Sequence, residues 1–234
     1  MPPVKAAAES ELPLAEHAYR ELRKAILRCE FEPGDRLRVE ELTRRFGVSS
    51  SPIREALNRL SQQGLVRTVE NRGFRVAPLT SEGVADVVRV RLLIEAEALR
   101  DSMAHGDDAW EASVVAAAHA LALVERRLGD EPRALDDEWS ARHRAYHMSL
   151  YSACTSSLLL EMVGLLFDRA EHYRRWSARH RQAPRSKNDE HQRLRTAVLA
   201  RDTDKALELI RRHTSRTGVL VAAALDGEPP GWVQ

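Results

Sequence analysis

Residues 37–78, LRVEELTRRFGVSSSPIREALNRLSQQGLVRTVENRGFRVAP, decide the fold of this chain. Leu37, Val39, Leu42 and Phe46 recur at helical spacing, which predicts a short helix with one apolar face. Gly47 ends it, because glycine takes the positive φ of a helix terminus without steric cost. Val48 comes next as a buried turn residue, and Ser49 is placed to cap the next helix. Pro52 falls in that helix's first turn, where its missing N–H costs nothing. Ile53, Ala56, Leu57 and Leu60 form the inner stripe, leaving Arg54, Asn58 and Arg59 outside. Gly64 closes the helix, and an alternating segment runs from Leu65–Val66 to Glu70. Asn71–Arg72–Gly73 is a turn signal, and Phe74 and Val76 alternate on a return strand.

Helix, turn, helix and hairpin in that order outline a winged helix-turn-helix, which lays its second helix in the DNA major groove. Charge agrees. From Arg36 to Leu79 there are nine Arg against four Glu, in a chain whose net charge is only +1. Cations at such density suit phosphate, because they displace condensed counterions. On charge alone, solvated surface arginines are an equal explanation. The sequence of elements tips the reading to DNA.

Upstream, Leu14, Ala18, Leu22, Ala25, Ile26 and Leu27 make the stripe of one more helix, stopped at Phe31-Glu-Pro-Gly34. The preceding MPPVKAAAESELP lacks the apolar core of a signal peptide. Pro78 closes the wing, and Thr80 or Ser81 can cap a helix beginning there. The predicted organisation is a disordered tail over 1–12, a DNA-binding domain over 13–79, a helical domain over 80–226 and a C-terminal tail over 227–234. A chain of 234 residues has room for both domains, and 43% hydrophobic with 30% charged residues is ordinary for a globular protein. No apolar run approaches the roughly 20 residues that span a bilayer. Cys29 and Cys154, in separate domains, read as reduced structural thiols, and a cytoplasmic location is expected from them.

Beyond residue 80 only helical patterning survives. Six helices are expected, folding as an antiparallel bundle: a long one carrying Val84, Val87, Val88, Leu92, Ile94, Ala98 and Leu99 and interrupted at Gly106–Asp107, then others at about 110–128, 132–153, 156–179, 185–201 and 203–225. The fold class is therefore mainly α, with a three-helix winged domain followed by a six-helix bundle. Four histidines stand out in the second part. His143 and His147 are four apart and share a helix face. His191 starts the fifth bundle helix, and His213 lies in the last. Imidazoles converging from three helices suit zinc, nickel or a similar divalent cation. Hydrogen-bonded or surface histidines are the alternative, and an isolated i, i+4 pair favours it. Trp110, Trp139 and Trp176 read as core or dimer-interface residues. Arg174–Arg175 and Arg179–His180–Arg181 read as a solvated helix end, with an anion contact left open. The intervening residues of His143–His147 exclude HExxH, and neither a phosphate loop nor a GxSxG elbow occurs.

The first domain resembles that of the GntR family of bacterial transcription regulators. The resemblance rests on Pro33–Gly34, Leu37, Glu41–Leu42, Gly47–Val48–Ser49, Pro52, Arg54–Glu55–Ala56–Leu57, Arg59–Leu60, Gly64–Leu65–Val66 and Arg72–Gly73. It implies contacts to double-stranded operator DNA from Ser49, Ser50, Ser51, Arg54 and Gly73. Arg59, on the same outer face, and Arg72, beside the wing-tip glycine, join that set. Ser50 stands where the family usually carries Arg, so a bidentate contact to guanine is lost at that position.

The second domain resembles the all-helical effector (FCD) domain of the FadR-type branch. The matching residues are Arg91 and Glu95, Tyr146–His147, Glu190–His191, Asp202, Ala206 and His213. The resemblance implies a metal bound by His147, His191 and His213, with His143 where the family carries Asp. An all-histidine set favours zinc or nickel; if His143 does not reach, three ligands plus water or an effector carboxylate remain. Arg91 is either the charge partner of a small carboxylate effector or one half of a helix-surface pair with Glu95. The expected protein is a homodimeric, non-enzymatic, effector-responsive regulator, in the sense of a repressor. A dedicated metal sensor is the alternative, and a metal-dependent hydrolase with an accessory DNA domain is a weaker one.

Overall fold

The computed structural model describes residues 14–70, 72–129, 135–180 and 190–227. The chain divides into two compact units between Pro78 and Leu79.

The first unit contains α1 (Leu14–Leu27), β1 (Arg36–Leu37), α2 (Val39–Phe46), α3 (Ser50–Gln62), β2 (Val66–Val69) and β3 (Gly73–Val76). Its core joins Ala18, Leu22 and Ile26 of α1 to Ile53, Leu57 and Leu60 of α3, closed beneath by Leu65, Phe74 and Val76. Gly47 terminates α2 at φ +67° and returns its N–H to Thr43 O at 3.0 Å. Gly73 adopts φ +82° where the wing turns into β3.

One expectation is corrected here. Leu37 is not on the face of α2: Arg38 is the extended cap of that helix, and Leu37 pairs across from Phe74 in a strand. An apolar residue two positions before another fits a strand as well as a helix, and the sheet partner decides between them. The hairpin is accordingly a three-stranded antiparallel sheet in the order β1-β3-β2, with Val66 opposite Val76 and Thr68 opposite Phe74.

The second unit is built from α4 (Ser81–His105), α5 (Asp108–Leu128), α6 (Asp137–Tyr151), α7 (Ser157–His180), α8 (Glu190–Leu199) and α9 (Thr203–Leu225). Side-chain caps set their starts. Thr80 accepts from Gly83 N, Asp107 from Trp110 N, Asp136 from Trp139 N and Asp202 from Lys205 N. Each such cap stabilises by about 1 kcal/mol. The third helix of the bundle therefore begins at Asp137 rather than near 132. The expected first turns of the fifth, residues 185–189, lie outside the described residues.

Helix α4 runs against α7 and α9, while α5 packs on α6 and α8. Their core is continuous through Leu99, Val114, Leu121, Tyr146, Leu150, Val163, Leu194 and Val198. Gly218 lets α9 approach α4 closely, since a Cβ there would lie 2.5 Å from Val88 Cγ2. Among the described residues, no helix is long and apolar enough to cross a membrane.

Candidate metal centre and DNA-facing surface

The i, i+4 spacing in α6 puts His143 and His147 on one inward face, with ring centroids 4.6 Å apart. The first turn of α8 brings His191 to 5.1 Å from His143 and 5.5 Å from His147. The middle of α9 brings His213 to 5.1 Å from His147 and 5.0 Å from His191. One nitrogen from each ring lies within 4.8 Å of all the others. Nitrogens around a tetrahedral ion, each bonded at about 2.1 Å, stand about 3.4 Å apart. The rings thus need only a small inward adjustment to close on a cation.

Burial tests the fit. His147 is fully buried and His143 nearly so. Among the described residues, His143 Nδ1 and both nitrogens of His147 meet no hydrogen-bond partner. A buried polar atom in that state costs about 1–3 kcal/mol, which a cation on its lone pair would offset. Burial, then the neighbouring imidazoles and the Arg174 and Arg91 guanidinium groups, hold the His143 and His147 pKa values well below the usual histidine range. Both rings are therefore neutral at physiological pH, the state in which an imidazole can accept a metal.

Other side chains aim these rings. Glu190 accepts from His213 Nδ1 at 2.8 Å and from Arg216 at 3.0 Å, which points His213 Nε2 into the cluster. Trp139 stacks on His143 at 4.5 Å and donates its indole N–H to Glu125 at 3.2 Å. Glu125 also lies 3.9 Å from His191 Nδ1. Tyr146 donates to the His191 carbonyl at 2.9 Å, tying the start of α8 to α6. Trp139, Glu125 and Glu190 thus contact the histidine cluster directly. Glu190 carried a signal in the sequence as the residue before His191, whereas Trp139 and Glu125 carried none.

A cavity of about 20 Å³, lined in part by Arg91, His143, Phe167, Glu171, Arg174 and His213, adjoins the cluster. That is room for about one water molecule. Arg91 donates Nε to Glu95 at 2.6 Å, and Glu95 accepts from Thr214 at 3.2 Å. The Arg91–Glu95 pair therefore exists, but it is buried inside the bundle and not on a helix surface. Arg174 and Arg175 likewise depart from the expected solvated helix end. Arg174 pairs with Glu171 and lies 4.6 Å over Trp139, while Arg175 holds Asp137 at 2.8 Å and the Ser140 hydroxyl at 3.2 Å. Among the described residues of that basic run, only Arg179 and His180 are exposed.

In the first unit, Ser49, Ser50 and Ser51 are exposed at the N-terminus of α3, and the Ser49 hydroxyl makes no capping bond. Backbone N–H groups at a helix start favour anions. Arg54 on α3, and Arg67, Arg72 and Gly73 on the wing, are exposed as well. Arg59 is placed differently. It reaches Glu16 at 3.0 Å and lies 3.9 Å over the Tyr19 ring, while Tyr19 exchanges hydrogen bonds with Gln63. Arg59 thus fastens α1 to α3. Arg38, Arg45 and Arg75 are also engaged within the unit, by Glu41, Glu30 and the Gly34 carbonyl. Part of the arginine excess in the sequence is therefore structural.

A winged helix-turn-helix with exposed serines at its recognition helix, carried on a chain with a separate all-helical unit, defines a class of transcriptional regulators. The comparisons specify it. Residues 14–76 match the family of bacterial regulatory proteins named gntR, and residues 86–216 match the FCD domain. The chain is 38% identical to BphR, an HTH-type transcriptional regulator of Paraburkholderia xenovorans, over 86% of its length and 82% of that protein's. It is also 38% identical to the HTH-type transcriptional repressor GlaR of Escherichia coli, over 89% of this chain and 96% of GlaR. A GntR regulator from Rhodococcus shares the fold, with a TM-score of 0.71 over 90% of this chain and 98% of that one, at 21% identity. The protein belongs to the GntR family, in the branch that carries an FCD domain; it is a transcriptional regulator, and its relatives are regulators rather than enzymes.

Proposed function

We propose that the protein is a cytoplasmic, homodimeric repressor whose hold on operator DNA is set by a small carboxylate effector bound beside a metal. The observation that carries this reading is the convergence of His143, His147, His191 and His213 beside a cavity walled by Arg91 and Arg174. His143, His147, His191 and His213 would hold zinc or nickel, which when bound supplies an electrophilic position for an anion's oxygen. Arg91 and Arg174 would bind the effector carboxylate, since a guanidinium matches its two oxygens. The cavity holds only about one water molecule, so a carboxylate effector must push its walls apart. That differential fit is what lets a ligand shift a conformational population.

Two copies would place their recognition helices on the half-sites of a near-palindromic operator. Exposed Leu93 of α4 and Leu158 and Met162 of α7 support self-association. Val84 packs beside Tyr173, and Arg91 lies beside Phe167, so the two helices run antiparallel. Ser49, Ser50, Ser51, Arg54, Arg72 and Gly73 would meet the DNA, with Arg59 bracing α3 from behind. GlaR is named a repressor, which supports that sign for the response.

The test is metal analysis of purified protein, followed by binding to an operator selected from randomised duplexes. Retention of about one divalent metal per chain, with operator release on adding a carboxylate, is expected. Release governed by metal concentration alone would point instead to a metal sensor. Absence of metal binding would overturn the reading.

A further inference from the structure

We infer that the outer face of the wing sheet is a separate phosphate-binding surface, on which Arg36, Arg67 and Arg75 hold the backbone of the duplex beside the groove that the wing tip reaches. This rests on the reading above that the first unit binds DNA through α3 and the wing.

The register of the sheet brings the three side chains together. Arg75 on β3 lies directly opposite Arg36 on β1 and opposite Arg67 on β2. Directly opposite residues of an antiparallel pair share a face, with Cβ atoms about 4.5–5.5 Å apart. Leu37, Val66, Phe74 and Val76, each one position along, turn the other way and are buried in the core of the unit. The arginines therefore form one row across all three strands, and all three are exposed.

Like charges placed directly opposite one another destabilise a sheet. Elsewhere in the unit arginines are matched by carboxylates: Arg38 by Glu41, Arg45 by Glu30 and Arg59 by Glu16. The row differs. Arg75 gives one N–H to the Gly34 carbonyl at 2.8 Å, and Arg36 and Arg67 meet no hydrogen-bond or ion-pair partner among the described residues. Three positive charges thus stand in register without a paired carboxylate.

Position identifies the counter-charge. Gly73, at the wing tip, stands two residues before Arg75 on the same strand, about 7 Å away at the rise of a β-strand. Three strands about 4.8 Å apart make the row about 10 Å wide, a length of axis over which one DNA strand presents about three phosphates. A guanidinium suits a phosphate through its parallel N–H groups. Such contacts fix the position of a protein on the duplex without reading its sequence.

The experiment compares the full-length natural protein with the double variant Arg36→Gln, Arg67→Gln. Arg75 is kept for its bond to Gly34. Binding is followed by fluorescence anisotropy on a duplex selected from randomised sequences and on an unselected duplex of equal length, from about 50 to about 200 mM potassium chloride. Each lost phosphate contact makes the plot of log affinity against log salt shallower by about 0.9, so the variant should lose about 1.8 of slope. Its deficit against the natural protein should therefore narrow about 12-fold across that salt range. Both duplexes should lose affinity by the same factor at each salt concentration, since phosphates carry no sequence information. The melting temperature should hold or rise, because repulsion within the row is relieved. An unchanged slope on both duplexes overturns the inference, as does a loss confined to the selected duplex, which would make these arginines base readers. Should the double variant not fold, Arg67→Gln alone decides, with an expected slope change of about 0.9. Failure of the natural protein to bind either duplex overturns the DNA-binding reading itself, a result distinct from binding with an unchanged slope.

Discussion

Replacing Glu190 tests whether His213 is a ligand. The carboxylate is 6% exposed and bonds to His213 Nδ1 at 2.8 Å and to Arg216 at 3.0 Å. In Glu190→Gln the amide oxygen can still accept from one of these partners, but the charge is gone and the NH₂ faces a donor. Changes to the group that orients a ligating histidine cost about 10–100-fold in metal affinity. The Gln variant, which keeps one bond, should fall near the lower limit, about tenfold, and Glu190→Ala near the upper. Arg216 is half-exposed and can turn to water, so the metal-free Gln variant should lose only about 1 kcal/mol, or some 2–4 °C in melting temperature. Zinc at a hundred times its dissociation constant stabilises the natural protein by about 2.7 kcal/mol. At the same zinc concentration, a site tenfold weaker retains about half of that. Competition titration and thermal unfolding with and without zinc read both quantities. Unchanged zinc affinity in Glu190→Ala, in a folded protein, would refute the placement of His213 among the ligands.

Arg54→Ala should weaken operator binding about 10–100-fold and leave the melting temperature nearly unchanged. Arg59→Ala should instead lower stability by about 0.5–1.5 kcal/mol through loss of its contacts with Tyr19 and Glu16; fluorescence anisotropy and thermal melts separate the two, and the opposite pattern would reverse their roles. His172, buried on α7, has its pKa pushed down to about 4 by desolvation. The unfolded chain takes up that proton from about pH 6.5, so stability is full above this pH and is lost as pH falls toward 4, by up to about 3 kcal/mol. Urea unfolding at pH 7.5 and 5.0 should show a smaller acid loss in His172→Gln than in the natural protein. Gly218→Ala puts a methyl 2.5 Å from Val88 Cγ2, and overpacking of about 1–3 kcal/mol exceeds the gain of about 1 kcal/mol in helix propensity, so the melting temperature should fall. Leu93→Glu should shift the protein toward monomer in sedimentation, and an unchanged dimer would remove the α4–α7 surface from consideration.

Much of the fold was legible because local rules and burial agree. The apolar stripes of α1 and α3, the glycine ending α2, and the cap Thr80 all express short-range periodicity or capping. Leu37 was misplaced because its environment depends on Phe74, which lies far along the chain. The same holds for the arginines. A run such as Arg174–Arg175 has the composition of a solvated surface, and only the partners Glu171 and Asp137 from other turns and helices bring it inside.

The candidate site divides along the same line. The spacing of His143 and His147, four apart on one helix, is a property of the α-helix itself, and so is the exposure of Ser50, Ser51 and Arg54 at the start of α3. Whether His191 and His213 join the first pair depends on how α8 and α9 cross α6, which no local pattern encodes. The departure at His143 was visible in the chain. Its surroundings, a small cavity walled by Arg91 and Arg174 that are themselves paired with Glu95 and Glu171, came from packing. Helices, caps and ligand types are determined residue by residue along the backbone. Burial, ion-pair partners and the charge balance of the centre were decided only by tertiary structure, because they are sums over groups that the sequence holds far apart.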